Sequence, residues 1–129
     1  MSEIELPPAP TNAALDRKLG SLAVQISNAA VQVYRAHTGR GPTRSRTSID
    51  PNLIVVELRD TLTTGERNLV AAGQLDTVMK VRRAYRHLLH QPLVDAVEHL
   101  AGRRVLALLG DCQLDPDLAV EVFILASEA

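Results

Sequence analysis

Aromatic side chains are almost absent from this chain, which has two Tyr, one Phe and no Trp in 129 residues. So few rings exclude the stacking platforms on which single-stranded nucleic acids lie, and they exclude an aromatic-lined sugar cleft. Cysteine is scarcer still. Cys112 stands alone, so no internal disulfide framework can form, and the chain fits a reducing compartment. Neither sign of charge is in excess: 14 Lys and Arg face 15 Asp and Glu, for a formal net charge of −1. That balance gives no global pull toward DNA, RNA or anionic lipid, and no nucleic-acid partner is expected. Long apolar runs are missing too. None approaches the ~20 residues of a membrane helix, and Met1 to Asn12 are acidic and Pro-rich, unlike a signal peptide. The expectation is a cytoplasmic protein without direct membrane insertion.

What is present suffices for one aliphatic core. Hydrophobic residues make up 46% of the chain, and the length is that of a single domain. Residues 1–11 carry Pro7, Pro8 and Pro10 and read as a flexible tail. Residues 12–129 read as a single α+β domain. Asn12 is placed to cap a helix, and Leu15, Leu19, Leu22, Ile26, Ala30 and Val33 follow as one helical stripe. Gly39-Arg40-Gly41-Pro42 ends it near His37–Thr38. Residues 43–49 alternate Arg with Thr and Ser as a polar strand, and Asp50-Pro51-Asn52 is a turn. Residues 53–59 form a second strand, β-branched at its centre. Thr63 and Glu66 fit a capping box. It opens a helix interrupted at Gly73, after which a longer helix runs to Gly102 with a kink or break expected at Pro92. Residues 104–110 and 118–125 are the third and fourth strands, separated by the Leu114-Asp115-Pro116-Asp117 turn.

The two hairpins echo each other. Ile49-Asp50-Pro51-Asn52-Leu53 aligns with Leu114-Asp115-Pro116-Asp117-Leu118, and each hairpin follows a Gly-Arg helix stop, Gly39-Arg40 and Gly102-Arg103. The fold expected is two α-β-β units, with a four-stranded antiparallel sheet and helices packed on one face. The second and fourth strands carry aliphatics on both faces. Exposed aliphatic sheet is an association surface, so a homodimer is expected.

Candidate chemistry is sparse. His87 and His90 lie three apart on one helix, and His99 lies four after Asp95, but no zinc-ligand spacing converges. No metal and no cofactor are expected. Cys112 has no base spaced to activate it. Glu57 and Glu121 occupy matching strands. They are expected to face solvent or to pair with Arg44, Arg46 or Arg103, not to do acid–base work. No catalytic residue is assigned, so an enzyme is the least favoured reading. The Gly39–Arg44 loop offers Arg40, Thr43 and Arg44 as an anion site, although it lacks the Lys-Ser/Thr ending of a phosphate-binding loop. Arg82, Arg83 and Arg86 cluster on the long helix, either as a solvated face or as a basic patch for an acidic partner or nucleic acid, the neutral net charge and scarce aromatics weighing against the last.

Several segments together carry a family resemblance: Gly39-Arg40-Gly41-Pro42, Leu53-Ile54-Val55-Val56-Glu57-Leu58, Leu62-Thr63-Thr64-Gly65-Glu66-Arg67, and Gly102-Arg103-Arg104-Val105. Over about residues 17–126 the chain resembles the MpsC family, the C component of a Na⁺-translocating membrane-potential-generating system. The resemblance implies association with membrane-potential generation and inorganic-carbon uptake. It also implies a membrane-protein partner that does the translocating, and it supplies no catalytic residues. The function expected is a non-enzymatic accessory or regulatory module. The alternative is a small-anion or nucleotide sensor at the Gly39–Arg44 loop.

Overall fold

A computed structural model describes residues 12–127. The tail expected over residues 1–11 lies outside them. The elements run α1 (Asn12–Thr38), β1 (Arg44–Asp50), β2 (Leu53–Arg59), α2 (Thr64–Ala71), α3 (Leu75–Ala101), β3 (Val105–Gln113) and β4 (Leu118–Leu125). The strands form one antiparallel sheet in the order β1-β2-β4-β3. The second strands of the two hairpins therefore lie side by side at the centre, and the first strands lie at the edges. This is the arrangement expected of two α-β-β units, with α2 added to the second.

Local chemistry sets most boundaries. Gly39, at φ 79°, takes the left-handed conformation that stops α1, and Thr38 Oγ1 donates to the Tyr34 carbonyl at 2.8 Å. The capping box at α2 forms as the sequence indicates. Thr63 Oγ1 accepts from Glu66 N at 3.1 Å, and Glu66 Oε1 accepts from Thr63 N at 2.9 Å. Gly73 separates α2 from α3, and Gly102 closes α3 at φ 65°.

Of the kink or break expected at Pro92, the break does not occur: α3 runs as one helix for 27 residues. Leu89, Leu93 and Val97 lie on either side of the proline and are all buried in the core. Burial of that stripe, about 1.5–3 kcal/mol per large aliphatic side chain, offsets the helical hydrogen bond that proline forfeits. β3 also runs three residues past the expected Gly110, because β4 pairs with it as far as Gln113.

α1 and α3 pack against each other and cover one face of the sheet. That inner face presents Ile54, Val56, Leu58, Ala119, Phe123 and Leu125 to Ile26, Ala30, Tyr34, Leu89, Leu93 and Val97. On the outer face Leu53, Val55, Val120, Val122 and Ile124 are only partly buried and lie outside this core. The edges are guarded differently. β1 carries Arg44 and Arg46 outward, and β3 is irregular between Val105 and Ala107, both devices that discourage edge pairing.

Candidate functional site

The sequence places one carboxylate in the middle of an apolar strand, and the fold buries it. Alternation along β4 turns Glu121 inward with Ala119 and Phe123, and it has no solvent exposure. An unpaired charge there would cost several kcal/mol, so partners converge on it. Tyr34 of α1 donates its hydroxyl to Glu121 Oε1 at 2.7 Å. Arg86 of α3 grips the carboxylate with both terminal nitrogens: Nη1 reaches Oε1 at 2.8 Å and Oε2 at 3.0 Å, while Nη2 also bonds Oε2. Arg86 Nε adds a bond to the Gly110 carbonyl at 3.3 Å. Gly110 is what lets the arginine pass, because a Cβ at that position would collide with both the Arg86 guanidinium and the Glu121 carboxylate. Burial raises the Glu121 pKa, with Arg86 and the Tyr34 hydroxyl pulling the other way. Burial and the adjacent carboxylate push the Tyr34 phenol far up, so it stays a proton donor.

A second buried pair lies nearby. Arg82 Nη2 donates to Thr61 Oγ1 at 2.6 Å, and Nη1 reaches the Thr61 carbonyl at 3.3 Å and Glu66 Oε1 at 3.5 Å. Asp117, in the turn before β4, receives Thr61 N at 3.0 Å, Thr61 Oγ1 at 2.8 Å and Leu62 N at 2.9 Å. The segment between β2 and α2 is thus held from both sides, by α3 and by the second hairpin's turn. Between these pairs is a small cavity of about 40 Å³ bordered by Tyr34, Thr38, Arg82, Arg83, Arg86 and Cys112. That is room for a water or two. A larger, open groove of about 1060 Å³ lies by the first turns of α1 and the β1–β2 turn, lined chiefly by Leu15, Leu19, Leu22, Ile49, Leu100 and Leu125.

The Gly39–Arg44 loop already holds an anion of its own. Asp60, a non-glycine residue at φ 62°, directs its carboxylate into the loop. Arg40 Nη2 bonds Asp60 Oδ2 at 2.5 Å, Thr43 Oγ1 donates to the same oxygen at 2.9 Å, and Arg67 Nη2 reaches Oδ1 at 3.0 Å. The hydrogen bond from Thr43, then Arg40 and Arg67, hold the Asp60 carboxyl below the usual carboxylate range. Arg40 and Thr43 are therefore brought together, around the chain's own Asp60. Arg44 does not join them. It lies on β1 opposite Arg59, on the outer face.

The arginine cluster on α3 divides three ways. Arg82 is buried with Glu66, Arg86 crosses to Glu121, and Arg83 faces outward as an exposed residue. A wholly solvated face is therefore the wrong description for Arg82 and Arg86, because the strand and loop they cross carry buried acceptors. Glu57 and Glu121 also part company. They lie on opposite faces of the sheet, and Glu57 pairs with Arg59 at 2.7 Å, not with the three arginines named from sequence. Glu121 was visible in the sequence as a lone acid among aliphatics. Its partners were not, since Tyr34 and Arg86 lie 87 and 35 residues away.

Chemically, the Glu121 carboxylate is saturated, with two hydrogen bonds on each oxygen, whereas a general base needs a lone pair open to substrate. Asp60 accepts from Arg40, Thr43 and Arg67, and Glu66 keeps one buried oxygen, Oε2, without a partner. Among the described residues no group of three or more His, Cys, Asp and Glu could hold a metal ion. None of their helices is long and apolar enough to cross a membrane. A family model described as "Na⁺-translocating membrane potential-generating system (MpsC)" matches residues 18–127, most of the chain. No curated protein and no solved structure matches it.

Proposed function

This chain belongs to the MpsC family, and from that premise we propose that it is a cytoplasmic, non-enzymatic accessory component that works as a homodimer and through protein contact. Family membership ties it to a Na⁺-translocating membrane-potential-generating system. Its described helices do not span a bilayer, so translocation itself is assigned to a membrane-embedded partner. The observation that carries the reading is a division of labour in the side chains. Arg86 and Arg82 are spent internally on the buried Glu121 and Glu66, and Arg40 and Arg67 on the partly exposed Asp60, while the aliphatic outer face of β2, β4 and β3 has no helix of the described residues against it. Uncovered apolar sheet of that kind is what association surfaces are made of. An anion-sensing role for the Gly39–Arg44 loop has less support, because Asp60 already occupies the donors of Arg40 and Thr43.

Light scattering coupled to size-exclusion chromatography tests the homodimer. The expected mass is twice the 14.0 kDa of one chain. A monomer persisting at high micromolar concentration overturns it.

A further inference from the structure

The outer face of the sheet is sorted into rows that run across the strands. One row holds Arg44, Arg59, Leu118 and Gln113, and the next holds Arg46, Glu57, Val120 and Asp111. The following rows hold Ser48, Val55, Val122 and Leu109, then Asp50, Leu53, Ile124 and Ala107. Asp50 apart, charge is thus concentrated at one end of the strands and aliphatic surface at the other, where Leu109 is 62% exposed; Leu106, at the irregularity of β3, is 59% exposed. Within the second row the two edges are opposite in sign. Arg46 on β1 and Asp111 on β3 are both exposed. Neither is in an ion pair among the described residues, Asp111 accepting only from its neighbour Cys112 N.

Resting on the homodimer reading above, we propose that a second copy of this chain packs face to face on this surface about a two-fold axis parallel to the strands. Two identical sheets packed in the aligned class by a two-fold axis have it either along the strands or across them. The axis along the strands keeps every row opposite its own copy. Aliphatic rows then meet aliphatic rows, β2 lies over the partner's β4, and β1 lies over the partner's β3. Arg46 therefore faces Asp111 of the partner subunit, and symmetry repeats the pair. Aligned sheets cross at ~30°, which slides the edge strands by roughly one residue, within the reach of an arginine side chain. The axis across the strands reverses the rows. Arg59 and Glu57 meet aliphatics about either axis, but this one also sets Asp111 against Leu109, which desolvates that charge without a counter-ion. The one ion pair it could gain is Arg44 with Asp50.

Charge exchange separates the two orientations. Arg46→Asp alone, or Asp111→Arg alone, places like charges opposite each other twice per dimer and should raise the dimer Kd roughly tenfold at low salt. The combined Arg46→Asp/Asp111→Arg variant should return it to within about threefold of the original. Analytical ultracentrifugation reads all four Kd values, and circular dichroism confirms that each variant is folded. Coupling between Arg44→Asp and Asp50→Arg instead of this pair overturns the parallel axis, as does a dimer that no exchange affects; both leave the homodimer reading standing. A monomeric parent chain overturns both.

Discussion

At the scale of single residues, Glu121 shows how a charge survives inside this core. It is not solvated but answered, by Arg86 from one helix and Tyr34 from the other. Removing one partner should therefore cost more than removing the whole cluster. Arg86→Met leaves a buried carboxylate held by one phenol and should lower stability by about 3–5 kcal/mol. The combined Arg86→Met/Glu121→Gln variant keeps an acceptor for Tyr34 without the charge and should recover most of that loss. Urea denaturation of the three chains measures both. Asp60 gives the opposite pH signature to Glu121. Folding lowers its pKa, so its contribution is present above the ordinary carboxylate range and is lost as pH falls through the lowered value. Folding raises the Glu121 pKa, so that group's contribution weakens as pH rises past the ordinary carboxylate range. Asn tolerates the left-handed backbone of residue 60. Asp60→Asn should therefore be less stable than the parent at neutral pH, with the gap closing in acid. Denaturation midpoints measured from pH 7 to pH 3 would show this, and a constant gap would contradict it.

At the scale of elements, local signals and tertiary contacts decided different things. The capping box at Thr63 and the glycine stops of α1 and α3 are readable over four or five residues, and each forms as read. Thr63→Ala should cost about 1–2 kcal/mol. Glu66 Oε1, which bonds both Thr63 N and Arg82, makes the upper end of that range the expected one. Thr63→Ser should be nearly neutral, and thermal unfolding of the pair checks this. Pro92 misleads for a related reason. Local chemistry says stop, but three buried aliphatics on that helix lie against the sheet and α1, and packing along a 27-residue helix outweighs one missing hydrogen bond. The overrun of β3 is of the same kind, since its last residues are strand because β4 offers them partners.

At the scale of the whole molecule, the fold has a covered face and an uncovered one, and the two are chemically distinct. Inner-face substitutions should unfold the chain, while outer-face substitutions should leave it folded and change its association. Leu109→Arg is the direct contrast. At 62% exposure it should alter monomer stability by no more than about 0.5 kcal/mol yet shift the population from dimer to monomer, read by light scattering beside a denaturation curve. A fall in stability without dissociation would place Leu109 in the fold and not in the interface.

Taken alone, the sequence determined the helix stops, the hairpin turns, the doubled α-β-β order and the membership of a family, because each rests on residues close together in the chain or on the pattern as a whole. It also showed that Glu121 was out of place among aliphatics. Only the tertiary structure decided where the charges went. Arg86 reaches Glu121 because β3 and β4 pair so that Gly110 lies opposite it, and Arg40 and Thr43 enclose Asp60 because β2 ends beside the loop that leaves α1. These are contacts between distant segments, set by strand order and register, and no local spacing records them. The same register sorts the outer face into charged and aliphatic rows. Its two edge strands, Arg46 on one and Asp111 on the other, are brought into a single row only once the sheet has formed.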